Sequence, residues 1–158
     1  MDWDQVTQLI EREFPDVPSI TQEEVSRYMS EGLEVVFIDV RHPSEFAVSH
    51  LPGAQNKTDN VSFKAAVENA SSDALVVSYC SVGYRSARSL TALRRDMTIR
   101  NIENVYTLEG SIFAWANNGL PVYQDDTEVK EVHPYDSAWG AFLNRDLWSY
   151  TPSSPALP

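Results

Sequence analysis

The one cysteine of the 158-residue chain, Cys80, closes the apolar run Leu75-Val76-Val77-Ser78-Tyr79 and opens the segment Ser81-Val82-Gly83-Tyr84-Arg85-Ser86. The run reads as a strand buried on both faces. From Ser86 onward Ala87, Leu90, Leu93 and Met97 recur at helical spacing, with Arg88 and Arg95 off that face. The unit is therefore strand, loop, helix. In open parallel sheets ligands bind beyond the carboxyl ends of the strands. A loop that enters a helix N-terminus turns backbone N–H groups toward one point, which stabilises an anion. A thiol in such a place, with an arginine nearby, favours its thiolate. Gly83 lets the loop curl through a conformation closed to other residues. Arg85, permanently charged and fork-shaped, can brace the loop and attract an anionic substrate. A lone cysteine is by itself most often a small buried residue. The strand end, Gly83, Arg85 and the following helix together make Cys80 a candidate nucleophile.

Charge marks the same region. Lys and Arg number 12 against 23 Asp and Glu, a net charge of −11. Residues 1–34 hold nine acids against Arg12 and Arg27, whereas residues 80–100 hold five arginines against Asp96 alone. The overall balance argues against a general nucleic-acid or anionic-membrane binder. No stretch approaches the ~18 apolar residues of a membrane helix. The acidic start Met1-Asp2-Trp3-Asp4 is unlike a secretory signal, so a cytoplasmic protein is expected. A single cysteine excludes an internal disulfide and a multi-cysteine zinc site. His42 and His133 stand in no cluster of metal-ligand spacing, so neither a metal nor a cofactor is expected.

The elements that must position this loop follow from periodicity. Residues 4–14 read as a short helix broken by Pro15 and Pro18, with Val6, Leu9, Ile10 and Phe14 at helical spacing. Thr21 and Glu24 make a capping box for a second helix, stopped near Gly32. Residues 35–40 form a strand buried on both faces, Leu51-Pro52-Gly53 a turn, and residues 62–69 a helix with Phe63, Ala66 and Val67 inward. A third strand over 104–108 and a helix over 111–118, stopped by Gly119, complete the alternation of an α/β domain with a mostly parallel sheet.

Cys80-Ser81-Val82-Gly83-Tyr84-Arg85-Ser86-Ala87 resembles the active-site loop of the rhodanese family of sulfurtransferases. Ile38-Asp39-Val40-Arg41, Glu45-Phe46 and His50-Leu51-Pro52-Gly53-Ala54 are similar to the family's first signature. Leu108-Glu109-Gly110-Ser111, Ala114-Trp115 and Gly119-Leu120-Pro121-Val122 resemble its C-terminal signature. Ser49 stands where a glycine usually precedes the histidine, and Ser111 where a second glycine is common. The resemblance implies a single-domain, three-layer α/β fold, with a central parallel sheet of about five strands flanked by helices. It further implies that Cys80 takes up a sulfane sulfur as a persulfide, with Ser81, Val82, Gly83, Tyr84, Arg85 and Ser86 binding substrate. The donor would be a small anion such as thiosulfate or a persulfide, and the acceptor a thiol or a sulfur-acceptor protein.

Asp39 and Arg41, at the end of the first buried strand, are expected to support the site's rim. Arg41 is spaced to pair with Glu45 if residues 44–48 are helical. His50 is read as structural and Trp115 as core. Tyr84 is expected to be exposed. The chain divides into a helical lead-in (1–18), the main domain (19–122), an extension packing on the domain or a partner (123–150) and a flexible tail (151–158). The extension leaves monomer and homodimer both open. Two other functions compete. Cysteine-dependent phosphatases place one residue more between cysteine and arginine than the four here, Ser81 to Tyr84. A non-catalytic interaction module of this family usually lacks the cysteine, which this chain keeps.

Overall fold

The computed structural model describes residues 1–100 and 102–153; the last five residues of the expected tail, 154–158, lie outside the described residues. Helix α1 (Trp3–Glu13) starts where Asp2 accepts the Gln5 N–H and the Gln5 side chain accepts the Asp2 N–H in return. Strand β1 (Ser19–Ile20) is followed by α2 (Gln22–Ser30), which opens on the expected Thr21–Glu24 box. Strand β2 (Val35–Asp39) leads into α3 (Pro43–Val48), with Pro43 at its first position, where no hydrogen bond is lost. Then come β3 (Gln55–Asn56), α4 (Asn60–Asn69), β4 (Leu75–Tyr79), α5 (Tyr84–Arg94), β5 (Val105–Leu108) and α6 (Ser111–Asn117). A short hairpin, β6 (Val122–Gln124) and β7 (Thr127–Val129), and two 3-10 turns, Trp139–Phe142 and Arg145–Leu147, finish the described chain.

The five main strands form one sheet in the order β1-β5-β4-β2-β3, every pair parallel. Strand β4 lies at the centre and is buried along its whole length. Its side chains alternate between two layers, as a pleated strand requires. Leu75, Val77 and Tyr79 join Phe37, Leu108, Ile112 and Trp115 on one face; Val76 and Cys80 join Ile38, Phe63, Leu90 and Val105 on the other. Helices cover both faces, giving the three-layer α/β fold. Trp115 is 2% exposed and donates its indole N–H to the Pro121 carbonyl. Its truncation to alanine would cost about 3–5 kcal/mol. The carboxyl ends of β2, β4 and β5 reach one edge of the sheet and place Asp39, Cys80 and Leu108 there together.

Residues beyond the last parallel strand also enter this core. Val132 and Leu143 are buried in the Trp115 layer, and Trp139, Phe142, Leu147 and Trp148 pack against it. Val132 donates its N–H to Leu147 and accepts from Ser149 through its carbonyl. Trp3 of α1 meets Phe142 edge-on at 5.2 Å between centroids, so the first helix touches the segment after the hairpin.

Met97 and strand β2 depart from the sequence expectation. Met97 is 96% exposed rather than on the inner face of the helix after Cys80, because α5 ends at Arg94 and the chain turns before Met97. Strand β2 is only half-buried at Val35 and Val36, and fully buried from Phe37 on.

Candidate active site

Strand β4 delivers Cys80 to the sheet edge, and α5 begins at Tyr84, two residues earlier than the sequence periodicity predicts. The reason is Gly83, which takes the N-cap position at φ 116. Cys80 is 1% exposed, and the Gly83 N–H donates to its Sγ at 3.2 Å. A Cβ at Gly83 would meet Ile10 Cδ1 at 3.4 Å in a backbone region that disfavours any side chain.

The loop is held from behind by the first turn of α6. Ser111 Oγ accepts the Cys80 N–H at 3.2 Å and donates to the Leu108 carbonyl at 3.1 Å. The Ile112 and Phe113 N–H groups donate to the Cys80 and Ser81 carbonyls. These are two of the helix-end donors that have no partner within their own helix. Ser111 stands at φ 49, left-handed backbone that glycine adopts without strain and serine does not.

From the side the loop is held by Arg85. Its two terminal nitrogens donate to the two carboxylate oxygens of Glu45 at 2.9 Å each, and one donates also to Ser81 Oγ at 2.9 Å. Glu45 accepts the His42 N–H as well. Burial pushes the Glu45 carboxyl up, but the hydrogen bonds and charge of Arg85, with the charge of Arg41, outweigh it and hold it below its ordinary value. The expected Arg41–Glu45 pair does not form. Arg41 precedes α3 instead of lying on it, and Asp39 takes both its backbone N–H and its guanidinium, the shortest contact being 2.7 Å. The same Nη2 also donates to the Ser49 carbonyl at 2.6 Å, while Nη1 is buried with no hydrogen-bond partner among the described residues. Asp39 and Arg41 are both fully buried under the rim.

Cys80, Ser81 and Val82 floor a pocket of about 280 Å³. Tyr84, Arg85, Arg88 and His42 stand around it, and Tyr135 and Trp139 close one side. Ser86 is turned away: its hydroxyl bonds the Gly83 carbonyl and Thr107 Oγ1. Gly83 contributes its N–H but does not line the pocket. Tyr84 is half-buried rather than exposed; its hydroxyl donates to Glu13 Oε2 at 2.6 Å, and its ring packs edge-on against Phe14. His50 bonds the Leu51 carbonyl through Nδ1 and stacks on Phe46, away from Cys80.

Residues 21–118 match the model of the Rhodanese-like domain. This chain belongs to that family. A probable adenylyltransferase/sulfurtransferase, MoeZ, of Mycobacterium tuberculosis is 30% identical over 104 residues, 65% of this chain and 26% of the relative. A sulfurtransferase of Allochromatium vinosum is 29% identical over 106 residues, 67% of this chain and 94% of the relative. Among solved structures, a thiosulfate sulfurtransferase of Pseudomonas aeruginosa superimposes with a TM-score of 0.62 at 21% identity, covering 84% of this chain and 25% of that one. This last likeness is one of fold. The chain thus spans about a quarter of the mycobacterial relative's length and nearly all of the Allochromatium relative's. No helix among the described residues is long and apolar enough to cross a membrane.

Sequence reasoning named Cys80 and Arg85, which line this pocket, but gave no role in it to Arg88, Tyr135 or Trp139. It also missed Glu13 and Ser111 as the groups that fix Tyr84 and Cys80. The aromatic density after His133 was the available signal; its destination was not readable from spacing.

Proposed function

We propose that the chain is a sulfurtransferase that moves a sulfane sulfur from thiosulfate or a persulfide to a thiophilic acceptor through a Cys80 persulfide. The observation that carries this reading is the position of Cys80 Sγ, on the floor of a pocket with the Gly83 N–H directed at it. The Cys80 thiolate attacks the outer sulfur of the donor. The donor's S–S bond breaks, and its electron pair leaves with sulfite from thiosulfate or with a thiolate from a persulfide. The acceptor then attacks the outer sulfur of the Cys80 persulfide and regenerates the thiolate. Two easier steps replace one difficult transfer. A loop already held by α6 and Glu45 needs no reorganisation to receive the anionic outer sulfur.

The geometry favours sulfur over phosphate. Both terminal nitrogens of Arg85 already donate to Glu45, and one also to Ser81, which leaves fewer donors and less net charge for a tetrahedral phosphate. The ring from Cys80 to Arg85 is also a residue short.

Intact mass after incubation with thiosulfate or a polysulfide tests the proposal. One added sulfur atom, removed by reductant and absent in Cys80→Ser, is the expected result. An unmodified wild-type protein, or an adduct that persists in Cys80→Ser, would overturn it.

A further inference from the structure

Tyr135 and Trp139 lie beyond the residues that match the family model, yet they form one wall of the Cys80 pocket. That wall is built rather than draped. Tyr135 stands at φ 70, which a non-glycine residue adopts only where its surroundings enforce it. Its N–H donates to His133 Nδ1 at 3.0 Å. Asp136 caps the next turn, accepting the Trp139 N–H on its side chain at 2.7 Å and the Gly140 N–H on its carbonyl. Trp148 anchors that turn by donating its indole N–H to the Gly140 and Leu143 carbonyls. The fit is close enough that a Cβ on Gly140 would come within 2.6 Å of the Trp148 ring.

The wall changes what the pocket can hold. The Tyr135 ring lies 4.8 Å from the Arg85 guanidinium, whose charge Glu45 already neutralises. Arg88 is exposed at the rim, and among the described residues no carboxylate stands within salt-bridge distance of it. A sulfur-accepting floor, an aromatic side and one unpaired cation therefore face the same space. That space, about 280 Å³, is more than a small inorganic anion fills.

We propose that Tyr135 and Trp139 select organic sulfane-sulfur donors, anions that carry an aromatic or apolar group beside the transferable sulfur, over inorganic thiosulfate. This rests on the sulfurtransferase reading and names its donor class. The organic group packs on Tyr135 and Trp139, and Arg88 meets the negative charge. With an aryl thiosulfonate, the Cys80 thiolate attacks the outer sulfur and the bond to the sulfonyl sulfur breaks. The electron pair leaves as aryl sulfinate, and the charge balances with no oxidant or reductant.

The test is kcat/KM for benzenethiosulfonate and for thiosulfate, with cyanide as acceptor, in the wild type, Trp139→Ala, Trp139→Phe and Tyr135→Ala. The readout is the ratio of the two donors. Both are turned over by the same preparation, so the ratio cancels any loss of folded protein. Trp139→Ala should lower the ratio about tenfold, the scale of one lost aromatic contact. Tyr135→Ala should lower it in the same direction, and Trp139→Phe should recover part of it. An unchanged ratio in both alanine variants, with the Cys80 persulfide still forming, would overturn the donor selection alone. Failure of the wild type to form the persulfide with either donor would overturn the sulfurtransferase reading and this inference with it.

Discussion

Arg85 on α5 holds both carboxylate oxygens of Glu45 on α3, forty residues earlier in the chain, at 2.9 Å on each side. The Glu45 side chain is 2% exposed and that of Arg85 19%. The pair joins the helix after the Cys80 loop to the helix after the neighbouring strand. Ser81 Oγ shares the same guanidinium, so the loop is clamped at its second residue. The sequence suggested that Arg85 serves as brace and anion magnet together. Its pairing makes the brace the larger part, since a charge already met by a carboxylate attracts a second anion weakly.

Arg85→Lys should therefore be a poor substitute. Lysine keeps the charge but presents a single ammonium, which cannot meet both oxygens of Glu45 and Ser81 in one plane. Activity in thiocyanate formation should fall about tenfold, the equivalent of about 1.4 kcal/mol in the barrier. Equal rates for the two residues would mean that only a point charge matters.

The Glu45 clamp also sets a pH dependence of stability. The native carboxyl titrates below its ordinary value of 4.5. Its stabilisation is complete above that value, where native and unfolded states are both ionised, and is lost as pH falls through the lower native value. Glu45→Gln should cost about 2 kcal/mol near neutral pH, in line with hydrogen bonds to charged groups. The gap between wild type and variant should close in acid. Urea midpoints for both proteins from about pH 3 to pH 7 check this; a gap of constant size would show that the charge of Glu45 contributes nothing.

Ser111 combines a strained backbone with two useful hydrogen bonds, and two substitutions separate these. Ser111→Ala keeps φ at 49 but loses the bonds to Cys80 N–H and the Leu108 carbonyl, for a cost of about 1–3 kcal/mol. Ser111→Gly loses the same bonds but relieves about 1 kcal/mol of left-handed strain. Thermal unfolding should rank glycine above alanine. Alanine as the more stable of the two would show that the strain at this position is negligible.

Salt dependence separates the acidic envelope from the arginines near Cys80. If long-range repulsion of thiosulfate dominated, kcat/KM would rise as salt screens it. Arg88, exposed at the pocket rim and lacking a salt-bridge partner among the described residues, would attract the anion at short range. We expect a decline in kcat/KM from about 20 to about 300 mM salt, as the screening length shortens. The decline should flatten in Arg88→Gln. A rising profile in the wild type would make the net charge of −11 the stronger influence.

The sequence by itself placed the strand over 75–79, the Thr21–Glu24 cap, the helix over 62–69 and the thiol at a strand's carboxyl end. Each of these rests on interactions within a few residues of the chain or on a simple period of burial. Local rules also led to the Arg41–Glu45 pairing, and there they failed. Both residues had the right spacing, but Arg41 sits in the bend before α3, and Asp39, two residues away on β2, takes its guanidinium. Only the tertiary structure decided that Glu45 on α3 meets Arg85 on α5, that Ser111 reaches Cys80 across 31 positions, and that Tyr135 and Trp139 close the pocket. These contacts join elements whose distance is set by sheet order and by how the extension packs on α6. A hydrogen bond or a ring contact is decided within a few tenths of an ångström, and no spacing along the chain carries that information.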